Sequence, residues 1–274
     1  MAQILCSTGA LIGLSNGRDY RLLENLSKEL KCDGYEFMMY SSWYEEVDKL
    51  VETIQNMNLN IPVIHCEKHI GEKITEGDEA SLHEAYRLFT INCQIANRFQ
   101  AGKIVIHLWD GQISDSNFTN SIKAYKHLNE IAVQHNIELL VENVVCNCEN
   151  PMKHWCELVR EYPDIKFIFD TKMAAFHEQL ELLYSEEYEW LWKDNHIRHY
   201  HVNDYAGGYM DWANLRTLPI GRGKIDFVRF FEFIDKIGYD GTFTVEATAF
   251  DKAGKIDVNM LNQQFEYIKR ALKP

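Results

Sequence analysis

Short apolar runs alternate with longer amphipathic segments along almost the whole chain. The apolar runs are rich in β-branched and aromatic residues and predict eight strands, at residues 3–8, 34–39, 61–65, 103–107, 138–142, 166–170, 197–201 and 242–246. The segments between and after them carry apolar residues at helical spacing and predict eight helices, at residues 19–30, 45–57, 79–98, 117–135, 151–161, 174–192, 226–237 and 258–272. Strand and helix therefore alternate throughout the sequence.

This alternation indicates a parallel sheet whose strands are joined by helical crossovers. Eight such units in 274 residues are typical of a single (β/α)8 TIM barrel, an α/β fold. No low-complexity linker interrupts the pattern, so we expect one domain over residues 1–274. The one long connection, residues 203–224, is rich in Gly and aromatic residues, and a loop of that length in a compact domain is usually functional.

Composition narrows the range of partners. The formal net charge of −13 argues against a nucleic-acid surface, which needs clustered basic residues. The first residues, MAQILCSTGA, show no basic region before an apolar run, and no stretch is apolar over the length of a membrane span, so we expect a cytoplasmic protein with no membrane partner. Seven scattered cysteines suit a reducing compartment, and Cys146 and Cys148 lack a second pair that would complete a zinc site. A homo-oligomer is compatible with the sequence.

Ligand-type side chains stand at or near the carboxyl end of seven of the eight predicted strands. They are Glu36, His65, His107, Glu142, Asp170, His201 and Glu246. Residues two positions earlier, such as Val63 and Leu140, share a face with these groups and suit a packed barrel interior. Because active sites of such barrels lie at the carboxyl ends of the strands, we expect the polar groups to converge over the barrel mouth.

The carboxylates in this group predict a metal ion. Taken singly, each residue has an ordinary structural interpretation; an Asp before a Thr, as at Asp170, is a frequent helix cap. Together, Glu142, Asp170 and Glu246 would repel one another over an apolar core unless a cation compensated them. With His201 they form a set of three oxygen ligands and one nitrogen ligand, which favours one divalent ion, Mn²⁺ or Mg²⁺, although Co²⁺ or Zn²⁺ would also suit it.

The stretches LVEN, FDT, YHVND and TVEA, with LPIGRGKIDF before the last βα unit, resemble the xylose isomerase-like TIM barrel superfamily. That superfamily includes sugar phosphate isomerases and epimerases and the family-2 apurinic/apyrimidinic (AP) endonucleases. The resemblance implies that Glu142, Asp170, His201 and Glu246 are the single-metal set of the ketose epimerase branch and that the two glutamates are its acid/base pair. Glu36, His65 and His107 match residues that end the second, third and fourth strands of many members.

The sequence also departs from the family pattern. Members often carry a His three residues after the Asp of the sixth strand, where this chain has Met173, and His177 is one helical turn too far to replace it. An Asp-x-His pair of the endonuclease branch is replaced by residues 215–218, LRTL, so that two metal sites of that branch would lack ligands. An Arg of the ketose epimerases is replaced by Gly207, which leaves the substrate open.

These observations favour a metal-dependent isomerase or epimerase acting on a small polyhydroxylated sugar, sugar phosphate or inosose through an enediolate. Glu142 and Glu246 would transfer the proton. The residues expected to bind substrate are Glu36, His65 and His107, which would hold hydroxyl groups, and Lys172 and Arg222, which would hold a phosphate or carboxylate. Two alternatives are an AP endonuclease-type, metal-dependent phosphodiesterase and a sugar-binding barrel without catalysis.

Overall fold

The computed structural model describes residues 2–250 and 254–272. Eight parallel strands form a closed barrel in which each strand pairs with the next along the chain and the last pairs with the first. The strands are β1 Gln3–Ser7, β2 Gly34–Met38, β3 Val63–His65, β4 Lys103–Ile106, β5 Glu138–Glu142, β6 Lys166–Asp170, β7 Ile197–His201 and β8 Thr242–Val245. The predicted (β/α)8 barrel is confirmed.

Helices surround the barrel, and five of those described begin at residues whose side chains cap them. Asp78 accepts hydrogen bonds from the backbone N–H groups of Ala80 and Ser81, and Asn150 caps the helix that starts at Pro151. The helices are α1 Leu23–Leu26, α2 Val47–Asn56, α3 His69–Glu76, α4 Glu79–Phe99, α5 Phe118–Gln134, α6 Pro151–Glu161, α7 Thr171–Phe176, α8 Trp190–Lys193, α9 Phe227–Lys236 and α10 Val258–Ala271. Among the described residues, none of these helices has the length and apolar character to cross a bilayer.

Two predicted helices are wrong in extent. Residues 19–30 form a 3-10 turn followed by the single turn α1, and residues 174–192 are divided among the end of α7, two 3-10 segments and α8. The second segment breaks where Glu178 adopts a positive φ of 52°, and the next residue, Gln179, hydrogen-bonds Asn150 across 2.5 Å. Contacts with a neighbouring loop thus override the helical period of the sequence.

Helix α3 was not predicted, and Gly71 explains why. Glycine lowers helix propensity, so the sequence of α3 reads as a loop. A Cβ at Gly71 would lie 2.7 Å from the carbonyl oxygen of His107, so the glycine lets α3 pack directly against the chain that leaves β4.

Part of the barrel interior beneath the strand ends is an apolar cluster. Its members are Leu5, Val63, Val105, Leu140 and Ile168, each with no exposed surface. A fully buried side chain of this kind contributes about 1.5–3 kcal/mol. Four of the five lie two residues before a residue with a ligand-type side chain, so they form an apolar floor beneath the ends of β3 to β6.

The loop between β7 and α9 is anchored by Asp204. Its carboxylate accepts hydrogen bonds from the backbone N–H groups of Gly221, Gly223 and Ile225, at 2.9, 2.8 and 3.1 Å. Gly221 has a φ of +80°, and a Cβ at Gly223 would come within 2.3 Å of Asp204 Oδ1. Both glycines of the stretch LPIGRGKIDF are therefore needed for the chain to wrap around this carboxylate.

Candidate metal and catalytic site

Four side chains from successive strands converge at the carboxyl end of the barrel. Glu142, Asp170 and His201 are the last residues of β5, β6 and β7, and Glu246 follows directly after β8. The Nδ1 atom of His201 lies 3.3 Å from Glu142 Oε1, 3.5 Å from Glu246 Oε2 and 3.8 Å from Asp170 Oδ2. Three carboxylates thus face one imidazole nitrogen, as the sequence predicts.

The orientation of His201 is fixed by Glu36 beneath it. The Nε2 atom of His201 lies 2.9 Å from Glu36 Oε1, and Glu36 also accepts from His199 Nε2 at 2.8 Å and from Thr244 Oγ1 at 2.7 Å. When the ring is neutral and Nε2–H donates to Glu36, the lone pair of Nδ1 points at three carboxylates. That arrangement is stable only if a cation or a proton lies between them.

Charge within the cluster is unbalanced in the absence of a cation. Burial, with Glu246 and Glu142 nearby, raises the pKa of Asp170 to about 6 although Lys172 acts in the opposite direction. Burial favours neutral His201, but Glu246, Glu36 and Glu142 raise the pKa of its ring well above the ordinary value. Three oxygen donors and one nitrogen donor fit a divalent ion such as Mn²⁺, Mg²⁺, Co²⁺ or Zn²⁺.

Two asparagines that were not predicted as site residues hold the carboxylates in place. The side chain of Asn203 donates to Asp170 Oδ2 at 3.2 Å and to Glu246 Oε2 at 3.1 Å, and its oxygen accepts from the backbone N–H of Glu246 at 3.0 Å. Asn143 accepts from the backbone N–H of Asp170 at 2.6 Å and donates to its carbonyl at 3.0 Å. The sequence signal that could have identified them is their position in LVEN and YHVND, one residue after Glu142 and two after His201.

A second group of ligand atoms shares Glu142. Its Oε2 atom lies 2.8 Å from His107 Nε2 and 3.2 Å from His65 Nε2, and these three ligand atoms lie within 4.8 Å of one another. The opposite nitrogens are bound to Asp110 Oδ2 at 2.5 Å and to the carbonyl of Cys66 at 2.8 Å. Burial opposes protonation of His107, but Glu142 and Asp110 raise its pKa to about 9.

A polar cavity of about 160 Å³ opens above the cluster and is lined by His65, His107, Glu142 and Glu246. It adjoins a wider cleft of about 670 Å³ whose lining includes Asp110 and Trp212. Members of both groups therefore line a space that a small molecule can enter, in keeping with active sites at the carboxyl face of a barrel, while Asp170 and His201 lie fully buried behind them.

The loop after β5 that borders the cleft is held by Asp115. Its two carboxylate oxygens accept from the backbone N–H groups of residues 147, 148 and 149 at 2.8–2.9 Å and from His154 Nε2 at 2.8 Å. Cys146 and His154 also lie close to Asp115, but its oxygens are already used by these donors. The cluster is best explained as a loop anchor, and it places Asn147 at the cleft.

The sequence matches the family described as xylose isomerase-like TIM barrel over residues 25–270. The chain belongs to the xylose isomerase-like TIM barrel family. A search of curated proteins found no significant match.

Solved structures of similar fold align over nearly the whole chain. A D-tagatose 3-epimerase-like protein is 19% identical with a TM-score of 0.71, and the alignment covers 98% of this chain and 97% of that chain. A D-psicose 3-epimerase from Clostridium cellulolyticum H10, in a structure with D-tagatose, is 13% identical with a TM-score of 0.70 and coverage of 99% and 100%. The IOLI protein, in a structure with a bound zinc atom, is 15% identical with a TM-score of 0.68 and 98% coverage of each chain. At these identities the likeness shows the fold.

Only some of the residues predicted to bind substrate line the cavity. His65, His107 and Lys172 line the cavity. Glu36 has no exposed surface and lies behind His201, where it fixes the imidazole ring and does not line the cavity. Arg222 is exposed and is not among the residues that line the cavity or the cleft.

The position of the family histidine is occupied by Met173 at the cavity wall. Its backbone N–H donates to Asp170 Oδ1 at 2.9 Å, so the helix cap is kept while the side chain offers no nitrogen. His177 does not substitute for it, because His177 Nε2 accepts from the backbone N–H of Cys146 at 3.0 Å. Burial lowers the pKa of His177 to about 4, so this ring is neutral.

Proposed function

We propose that this protein is a divalent-metal-dependent isomerase or epimerase of a small sugar, sugar phosphate or inosose. The observation that carries the proposal is the convergence of Glu142, Asp170 and Glu246 on Nδ1 of His201, at 3.3–3.8 Å, beneath an open polar cavity. Membership of the xylose isomerase-like family supports it, as do similar folds described as a D-tagatose 3-epimerase-like protein and a D-psicose 3-epimerase.

Glu142, Asp170, His201 and Glu246 would hold one ion, for which the donor set favours Mn²⁺ or Mg²⁺. When bound, such an ion polarises a substrate carbonyl and makes the neighbouring C–H more acidic. Glu36 fixes the ring of His201 through its Nε2 atom, and Asn203 fixes two of the carboxylates. These contacts keep the site in one arrangement before the substrate arrives.

Glu142 and Glu246 are the proposed acid/base pair. Both line the cavity, and they come from strands three positions apart around the barrel, so they approach a bound carbon chain from different directions. One carboxylate removes the proton next to the carbonyl, the electron pair moves onto the carbonyl oxygen to give an enediolate, and a carboxylic acid returns a proton. Return to the opposite face of the same carbon gives epimerisation. Return to the neighbouring carbon, with the hydroxyl proton of that carbon passing to the former carbonyl oxygen, gives isomerisation.

The proposal is tested by turnover in D₂O, read by NMR, with a panel of ketoses, aldoses, their phosphates and inososes in the presence of Mn²⁺ or Co²⁺. We expect deuterium at the carbon that loses its proton. Glu246→Gln should retain the fold and lose about 10²–10⁴-fold in exchange rate, since a general base is removed. Glu138→Gln, at the opposite end of β5, is the matched control and should exchange normally.

Two results would count against proton transfer. Rapid turnover without solvent deuterium would indicate a hydride shift, and unaltered exchange in Glu246→Gln would remove that residue from the mechanism. Binding that raises the melting temperature without any turnover would favour the sugar-binding barrel instead.

Metal-dependent phosphodiester hydrolysis is a second candidate, favoured by the group formed by His65, His107 and Glu142. Two neighbouring cation sites that share a carboxylate are the arrangement of many phosphodiester-cleaving enzymes. The net charge of −13 opposes the approach of DNA. We therefore expect no cleavage of an abasic duplex at physiological salt. Nicking of the duplex that a chelator abolishes would favour the phosphodiesterase over the isomerase or epimerase.

A further inference from the structure

Lys172 is a largely buried lysine in the wall of the inner cavity. It lies in the first turn of α7, two residues after Asp170, and only 7% of the residue is exposed. Its Nζ atom donates to Thr217 Oγ1 at 3.1 Å, and within the described part of the chain no carboxylate lies within 4.0 Å of it. An ammonium group has three donors, so besides the contact with Thr217 it can donate to a molecule in the cavity and cleft that Lys172 lines.

Lys68 provides a second cation at the same place. It precedes α3 and lines both the inner cavity and the wider cleft, as Lys172 does. No carboxylate of the described residues lies within 4.0 Å of Lys68 Nζ either. The hydroxyls of Thr217 and Thr248 line the inner cavity beside these lysines. Two lysines therefore lie where the cavity meets the cleft, and two threonines line the cavity, whose wall also contains Glu142 and Glu246.

We infer that the substrate carries an anionic group, a phosphate ester or a carboxylate, which binds between Lys172 and Lys68 where the cavity meets the cleft. The inference rests on the proposed function and specifies its substrate class. A neutral sugar would offer these ammonium groups only hydroxyls, whereas an anion provides charge-assisted hydrogen bonds to both. Both Lys68 and Arg222 are exposed, but Lys68 lines the cavity and the cleft and Arg222 lines neither, so Lys68 takes the place that the sequence pattern suggested for Arg222.

A competing explanation is that both lysines serve only to offset the carboxylates of the metal site. Lys172 does lower the pKa of Asp170, and, although burial opposes them, Glu246, Asp110 and Glu142 raise the pKa of Lys68. In that case removing a lysine changes the affinity for every ligand to the same extent, because the change acts through the metal site. A role in binding an anion predicts a loss confined to anionic ligands.

The test is calorimetric titration of the Mn²⁺-loaded protein with matched pairs of probes: D-fructose and D-fructose 6-phosphate, and D-galactose and D-galacturonate. Wild type should bind an anionic member at least about ten-fold more tightly than its neutral partner. Lys172→Met and Lys68→Met should each lose about ten- to a hundred-fold for that member and less than about two-fold for the neutral sugar. Lys172→Arg should retain most of the preference, and Lys49→Met, an exposed lysine of α2, should retain all of it.

The two pairs separate the sources of the anion, since preference in one pair alone assigns phosphate or carboxylate. Equal affinity within both pairs, or equal losses for neutral and anionic members in the lysine variants, would overturn the inference. Because binding is measured without turnover, a failure here is distinct from a failure of the deuterium experiment, which tests the reaction itself.

Discussion

Replacing Glu36 with Gln removes a negative charge from beneath His201 while keeping the shape of the side chain. Glu36 is fully buried and accepts three contacts, from His201 Nε2 at 2.9 Å, His199 Nε2 at 2.8 Å and Thr244 Oγ1 at 2.7 Å. The amide oxygen of Gln can still accept the Nε2–H of His201, so the ring keeps its orientation. What is lost is the charge that makes Nδ1 a stronger electron donor.

The expected effect is on metal affinity. Substitution of partners that orient a metal-binding His typically weakens binding 10–100-fold, which corresponds to about 1.4–2.7 kcal/mol. Mn²⁺ binding would be measured by competition with a fluorescent chelator, and folding would be checked by circular dichroism. Glu138→Gln is the control, since Glu138 pairs with Arg198 at the amino end of β5. Unchanged affinity in a folded Glu36→Gln protein, or an equal loss in the control, would refute the reasoning.

Metal binding should also depend on pH, because Asp170, with a pKa of about 6, and His201, with a pKa raised well above the ordinary value, must lose their protons before an ion binds. Mn²⁺ affinity should therefore rise from about pH 5 to 8, with about two protons released per ion below about pH 6 and about one above about pH 7. Calorimetry in buffers of different ionisation enthalpy measures the number of protons released. An affinity that does not change with pH would contradict the prediction. Gly223→Ala should destabilise the protein by about 1–3 kcal/mol in urea unfolding, because its Cβ would overlap Asp204 Oδ1. Gly208→Ala in the same loop, where a Cβ meets nothing within 4 Å, should change stability by less than about 0.5 kcal/mol, and equal losses would contradict the role of Gly223.

The barrel could be predicted because its strands are short, buried runs separated by long amphipathic segments. The convergence of Glu142, Asp170, His201 and Glu246 followed from the same pattern, since the carboxyl ends of parallel strands in a barrel point to one face. A residue at the end of a strand needs no knowledge of loop structure to be placed. This part of the site was therefore readable from the sequence.

The sequence did not reveal how deep inside the barrel each strand residue lies, as Glu36 shows. In the observed register Glu36 pairs with Val63, and it is Met38 that lies level with His65. Glu36 therefore belongs to a deeper layer, with His199 and Thr244, and contacts His201 from below. Register between neighbouring strands depends on the stagger of the closed barrel, which periodicity along one strand does not reveal.

The hydrophobic pattern of the sequence also could not predict which side chains from loops and short helices reach the site. Lys68 lines the cavity and directly precedes α3, a helix that the sequence did not predict because it contains Gly71. Arg222 lies in a loop whose conformation is set by hydrogen bonds to Asp204. Such positions follow from tertiary contacts and have no period. The identity of the cationic residues at the cavity could only come from the structure.

The most direct test of the metal site is anomalous diffraction at the manganese edge from crystals soaked with Mn²⁺. The arrangement described above predicts one strong peak per chain, about 2.0–2.3 Å from Nδ1 of His201 and from oxygens of Glu142, Asp170 and Glu246. A peak bound only by His65 and His107, or no peak above the barrel floor, would contradict the assignment of these four residues as the metal site.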